Sequence, residues 1–226
     1  MTDCLPPSSL TRIPPAIAEV FDELKSHVTE MHFRWLTYRE LFGISKGRVD
    51  LLNECAGPFF VIIHGVLLTD VQLALCKLTD PARTPRFENL SLDQLQERVA
   101  SHGDSSIAGR CDQLLVEVHA RAAHVRQRRN KKLAHIDLAT ALGTTATPLP
   151  AVTRQSIDDA LEAIRAYMNA IEDHYDGAQT GYEYSMIHKG AAALVARLQD
   201  SRRYHEHIRT GRLPIDDHRH GRQADV

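Results

Sequence analysis

Apolar residues return at three- and four-residue steps through nearly the whole chain, the period of an amphipathic helix. Ile17, Val20, Phe21, Leu24, Val28, Met31, Trp35, Tyr38 and Phe42 predict a first helix from near Pro15, with Gly43 as its stop. A second helical stretch runs from about Val49 to Leu78. Gly57-Pro58 predicts a kink in it, because proline removes an internal hydrogen bond. From Phe59 to Leu78 this stretch is apolar nearly all round, which predicts a buried helix at the centre of a bundle. Ser91, with Gln94 three residues on, reads as a capping box opening a short helix. A fourth helix should begin near Ser105 or Ser106 and carry the stripe Ile107, Cys111, Leu114, Leu115, Val118, Ala122 and Val125.

The Thr- and Pro-rich segment Leu142 to Pro150 reads as a loop. A fifth helix should start around Ser156, capped with the help of Asp159, run along Ile157, Leu161, Ile164, Met168, Ile171 and Tyr175, and end at Gly177. A sixth, roughly Glu183 to Gln199, carries Tyr184, Ile187, Ala191, Leu194 and Leu198. Alternating strand patterns are absent from the sequence. The expected fold is all-α: an up-and-down helical bundle of about five to six helices over residues 15–200. A flexible, Pro-rich segment (1–14) precedes it, and a polar C-terminal tail (201–226) follows, where apolar residues thin out.

Charge and cysteine content narrow the class. With 27 Lys and Arg against 29 Asp and Glu in 226 residues, the net charge is -2, so any contact with nucleic acid has to come from a local patch. Cys4, Cys55, Cys76 and Cys111 form no C-x-x-C pair and a chain of this length needs no disulfide staple, so reduced thiols and a cytoplasmic home are expected. The polar N-terminus does not read as a signal peptide. The most apolar run, Phe59 to Leu68, falls short of the roughly 20 residues a membrane span needs, so no membrane is expected as a partner.

The local patch follows from extending the fourth helix by its own seven-residue step. Leu114 leads to Arg121, Arg128 and His135, Leu115 to Ala122 and Arg129, and Val118 to Val125 and Lys132. A face that packs for three turns becomes cationic. Between Arg121 and Lys132 stand six Lys or Arg and no acid, and the next acid is Asp137. Charge on a core-facing stripe is costly unless an anion or water meets it. A phosphate suits, because arginine presents a planar fork of donors and lysine adds point charge. His135 adds a proton-transferring group near neutrality. On an ideal helix Arg129 and His135 stand about 120° and about 9 Å apart, on the two edges of one face. A twofold dimer would bring two such histidines into one groove. Spacing and charge alone also describe a solvated basic helix end meeting the negative dipole terminus.

The segment Arg129-Asn130-Lys131-Lys132-Leu133-Ala134-His135-Ile136-Asp137 resembles the signature of the HEPN superfamily, an arginine and a polar residue followed at short distance by histidine. The Ala-His-x-Asp ending, with Leu78-Thr79-Asp80-Pro81 closing the preceding long helix, is similar to the abortive-infection AbiU-type branch. The resemblance implies a homodimer that cleaves RNA without metal or other cofactor, often as a phage-defence toxin beside an antitoxin protein. It implies that Arg129 steadies the phosphate, Asn130 orients it and His135 is the general acid or base. Arg126, Arg128, Lys131 and Lys132 would bind RNA, and Asp80 and Asp137 would be accessory. The implied reaction is attack by the ribose 2′-OH on the adjacent phosphorus. Some members carry a modified tyrosine two residues after the histidine; Asp137 stands there, so that control is not expected. Other members bind without cutting, which leaves a nucleotide- or RNA-binding module, or a helical partner for an antitoxin, as alternatives.

Remaining candidates read as structural. His64 fits a core histidine with a satisfied hydrogen bond, Asp70 either accepts from a basic group or faces solvent, and Asp80 before Pro81 is a good turn or cap residue. Trp35 and Tyr38 fit packing positions, Arg121, His124 and Arg126 a solvated face, and Glu172 to Asp176 a solvated helix end. Neither zinc-site spacing nor a phosphate-cradling glycine loop occurs.

Overall fold

The computed structural model describes residues 12–133, 151–184 and 190–212. Among them are six α-helices and no strand: α1 (Pro15–Tyr38), α2 (Lys46–Leu78), α3 (Leu92–His102), α4 (Ser105–Arg128), α5 (Arg154–Asp176) and α6 (Ala191–Arg209). The chain is an all-α helical bundle protein, as the periodicity predicts. Two π-helical turns extend α1 (Arg39–Gly43) and α4 (Arg129–Leu133).

Local sequence explains the helix ends. The Ser91 side chain accepts from the Gln94 amide and opens α3, and Gly103, at φ 94°, closes it in a left-handed conformation that costs glycine least. Asp104, rather than either following serine, caps α4 through the amides of Ser106 and Ile107. Thr153 caps α5 in a reciprocal box with Ser156, so the cap precedes the serine the sequence suggests and does not use Asp159. Gly177, at φ 64°, ends α5. Within α2, Ala56 leaves helical geometry two residues before Pro58, where the kink is expected.

Of the described residues, 12–35, 67–133 and 151–184 form one compact unit and 36–66 with 190–212 a second. In the first, α4 packs along α5 and α3 packs on α4. The predicted stripe of α4 is buried from Ile107 to Val125 except Leu114, which is half-buried, and on α5, which packs along it, Ile157, Leu161, Ile164 and Met168 are buried. Each large apolar side chain so covered contributes about 1.5–3 kcal/mol. Tyr167 is buried in the same seam, and its hydroxyl lies 3.3 Å from the Leu92 carbonyl and 3.3 Å from Gln96 Oε1. Burial pushes its pKa well above the usual tyrosine range.

In the second unit His64 is half-buried against Tyr38 and Phe42, with Nε2 3.1 Å from the Tyr38 hydroxyl, the satisfied histidine expected from the sequence. Two expectations fail here. The segment Phe59 to Leu68 is not buried all round: Phe60 is buried and Ile63, Leu67 and Leu68 are half-buried, but Phe59, Val61, Ile62 and Val66 are 55%, 67%, 63% and 57% exposed. It is also part of a 33-residue helix, which by length and composition alone is apolar enough to cross a membrane. Apolarity on every side shows that a helix has no polar face; it does not supply the neighbours that would cover it. The polar tail does not begin at Ser201 either. Helix α6 starts at Ala191, where Ala191 and Val195 are buried, and continues to Arg209 through a polar stretch that carries Arg203–Asp200 and Arg209–Glu206 pairs at i,i+3 spacing and an Arg202–Glu54 contact at 4.0 Å.

One buried group gives the first unit a pH response. His32 on α1 donates Nδ1–H to the Val28 carbonyl (2.8 Å), and its ring lies 5.5 Å from the Tyr182 ring. Nε2 is buried without a hydrogen-bond partner among the described residues. Burial lowers its pKa below 6.5, Arg165 adds to this, and the Val28 bond and Glu183 oppose it. The unfolded chain therefore binds the proton more readily, so stability rises with pH through the window below 6.5 and is lost as pH falls. Urea unfolding midpoints should drop between about pH 7.5 and about pH 5, and His32→Phe should shrink that drop. An unchanged drop in the variant would remove His32 from the account.

Candidate functional site

Helix α2 ends at Leu78, and its last carbonyls have no partner within the helix. Backbone amides just past the helix meet two of them, Thr79 N on the Leu75 carbonyl (3.2 Å) and Asp80 N on the Lys77 carbonyl (3.3 Å), and the buried Thr79 hydroxyl donates a second bond to Leu75 at 2.8 Å. Arg126 of α4 satisfies others: its Nη1 donates to the carbonyls of Cys76 (3.2 Å) and Thr79 (2.5 Å) and to Thr79 Oγ1 (3.0 Å). The same nitrogen lies 3.3 Å from Asp80 Oδ1. Arg126 is thus a cap for α2, and its charge is engaged there.

Arg129 stands three residues on and fourteen beyond Leu115, on the stripe that packs at Ala122. Its Nη2 donates to both oxygens of Asp80, at 2.9 and 3.1 Å, and Nη1 donates to Asn130 Oδ1 at 3.1 Å. The side chains of Arg129 and Asp80 are 28% and 23% exposed, sheltered enough to strengthen the pair and open enough for a solute to reach it. Two guanidiniums share one carboxylate, leaving a net positive charge. Arg128 is half-buried and makes no ion pair among the described residues; Asn130 and Lys131 are exposed. Both arginines also act on the buried Cys76 thiol, whose pKa is pushed up by burial while Arg129 and Arg126 pull it down.

The turn that starts at Arg129 is π-helical. A π turn spaces hydrogen bonds at i→i+5 and shifts the phase of every side chain after it. Ala134, His135 and Asp137 lie outside the described residues, as does the side chain of Lys132.

Asp80 also lines a cleft of about 430 Å³ between α1, α2 and the loop that follows α2. Arg34 on its α1 wall bonds Glu30 (2.9 Å) and Asp70 (3.1 Å), so Asp70 accepts from a basic group. Elsewhere the structural readings fare unevenly. Trp35 and Tyr38 are buried packing residues. Arg121 pairs with Glu117 at 2.5 Å and Asp159 at 3.6 Å on an exposed face. Glu172 is not solvated: it is buried, pairs with Lys25 at 2.5 Å and accepts from Thr180 at 2.7 Å. Among the described residues no three His, Cys, Asp or Glu side chains gather as metal ligands.

The sequence puts Asp80 and Arg129 in one family signature but not in contact, and it does not foresee Arg126 as a cap. An arginine pair three residues apart on a packing stripe, facing a helix that ends in Thr-Asp-Pro, is the signal that would find both.

No curated protein and no solved structure matches this chain. A family model described as AbiU2 (HEPN_AbiU2) matches residues 15–205, a span that holds every described helix through most of α6, the Asp80–Arg129 pair and His135. The chain belongs to the HEPN AbiU2 family.

Proposed function

We propose that the protein is a metal-independent endoribonuclease acting in phage defence, as the toxin component beside an antitoxin, in the cytoplasm. Its family is one of abortive-infection HEPN domains. The observation that carries the reading is the half-buried Asp80 carboxylate shared by Arg126 and Arg129. The Arg129 Nη2, already held against both oxygens of a carboxylate at 2.9 and 3.1 Å, is a guanidinium donor placed where a phosphate oxygen could meet it. In the proposed reaction a ribose 2′-oxygen attacks the adjacent phosphorus, and its proton passes to an imidazole. The bond to the 5′-oxygen breaks, that oxygen takes a proton from a second imidazole, and Arg129 offsets the charge growing on the equatorial oxygens. His135 supplies the imidazole, and a second copy of the chain supplies the other. Asn130, bonded to Arg129, orients the same guanidinium, while Arg128, Lys131 and Lys132 extend the anion-binding surface.

The exposed apolar residues of α2 support a homodimer, since a contiguous uncovered patch marks an association surface. The Arg129–Asp80 pair also favours a second reading, in which the arginine is satisfied by its own carboxylate and the groove binds RNA without cutting it.

One assay separates the two. Labelled single-stranded RNA is incubated with pure protein in excess EDTA, beside the same strand in all-deoxy form and a deoxy strand carrying one ribose. The nuclease reading expects cuts only 3′ of a ribose, leaving 2′,3′-cyclic phosphate and 5′-OH ends. RNA bound but left intact would leave only the binding module.

A further inference from the structure

The cleft beside Asp80 has the composition of a nucleotide site. Leu73, Ala74 and Leu90 give it an apolar floor, with Leu73 and Ala74 half-buried on one face of α2 and Leu90 reaching in from the loop. Its volume of about 430 Å³ falls within the range of small-molecule sites. On the α1 wall Arg34 is neutralised by Glu30 and Asp70. Beside His27, which is exposed, two groups in the cleft remain uncommitted. Lys77, on the last turn of α2, is exposed and makes no ion pair among the described residues. Asn89 spends its Nδ2 on the Pro81 carbonyl at 2.7 Å, which leaves Oδ1 an acceptor. The loop that carries Asn89 is pinned by its backbone, with Asn89 N donating to the Ala82 carbonyl at 2.8 Å. Asp80 belongs both to this cleft and to the arginine pair, so a chain lying across Asp80 touches both.

We infer that this cleft binds the nucleotide next to the scissile phosphate. Its base lies on Leu73, Ala74 and Leu90 and donates an edge N–H to Asn89 Oδ1, and its phosphate meets Lys77. The inference rests on the proposed phosphate role of Arg129 and adds a pocket for the neighbouring base: an apolar floor accepts any base face, and Asn89 Oδ1 accepts from an exocyclic amine or from the N3–H of uracil.

The test is equilibrium binding of AMP, CMP, GMP and UMP to the full chain by calorimetry, which needs neither His135 nor turnover. All four should bind at millimolar concentration or below, since each base presents an N–H to Asn89 Oδ1. Lys77→Ala, at an exposed position, should weaken binding about tenfold, the worth of one charge-assisted bond. Ala74→Trp, which fills the floor, should abolish it, with circular dichroism reporting whether the helices persist. No binding at millimolar nucleotide, or binding that Lys77→Ala leaves unchanged, overturns the inference. Binding lost in Arg129→Ala but indifferent to Lys77 and Ala74 does so too, while leaving the nuclease reading intact. Conversely, nucleotides held in the cleft by a protein that never cuts RNA would sink the nuclease reading and keep the cleft.

Discussion

Arg129→Ala should lower the rate of RNA cleavage by about 10²–10³-fold, the usual loss when one preorganised donor to a developing oxyanion is removed. The expectation follows from the shape of the site. The guanidinium is held by two hydrogen bonds to Asp80 and a third to Asn130. It is therefore oriented before any substrate arrives, and a transition state gains from donors that need no reorganisation. Arg129→Lys should recover little, since one ammonium cannot hold Asp80 and Asn130 through two separate nitrogens of a rigid plane as the guanidinium does. His135→Ala should cost about 10²–10⁴-fold through loss of proton transfer, with RNA binding kept. Asp80→Asn separates holding from competing: with the carboxylate charge gone, RNA affinity at low salt should rise while turnover falls, because Arg129 is no longer steered. Single-turnover rates and filter binding on the same variants measure both. An Arg129→Ala protein that is folded and cuts at the parental rate would remove the arginine from the chemistry.

Arg126, three residues earlier, shows why this site was only half legible. On sequence it is one more cation in a basic run; in the structure its guanidinium closes the end of α2. Helix starts and stops are legible because they depend on residues within four positions, as Ser91 with Gln94 or Gly177 does. The seam of α4 and α5 is legible because seven-residue steps preserve a face. The meeting of Asp80 and Arg129, 49 positions apart, depends on how α2 and α4 lie side by side, and no local pattern encodes that. The π turn at Arg129 has no sequence mark either. The continuation of α6 to Arg209 has no apolar stripe to mark it in the sequence; it runs through a polar stretch with i,i+3 charge pairs.

Ile62→Asp should weaken self-association of the protein by about 10²–10⁴-fold. Between Glu54 and Asp70 the chain carries no Asp, Glu, Lys or Arg, and Phe59, Val61, Ile62 and Val66 each leave more than half their surface in water. Phe59, Ile62 and Val66 recur at three- and four-residue steps and so share one face of the helix. An apolar face without charge is complementary to itself, which a twofold pairing exploits. Burying such a side chain fully contributes about 1.5–3 kcal/mol, and in a twofold interface each residue counts twice. That sum is of the size needed to offset the several kcal/mol lost on association. A carboxylate at Ile62 would sit opposite its own copy, unpaired and partly desolvated, so the loss exceeds that of the methyl groups alone. Equilibrium sedimentation at tens of micromolar should show a dimer for the parent and a monomer for the variant, with equal helical content. A parent that sediments as a monomer ends the pairing argument. If the parent floats with phosphatidylcholine vesicles and Ile62→Asp does not, the face is made for lipid and the dimer must be sought elsewhere.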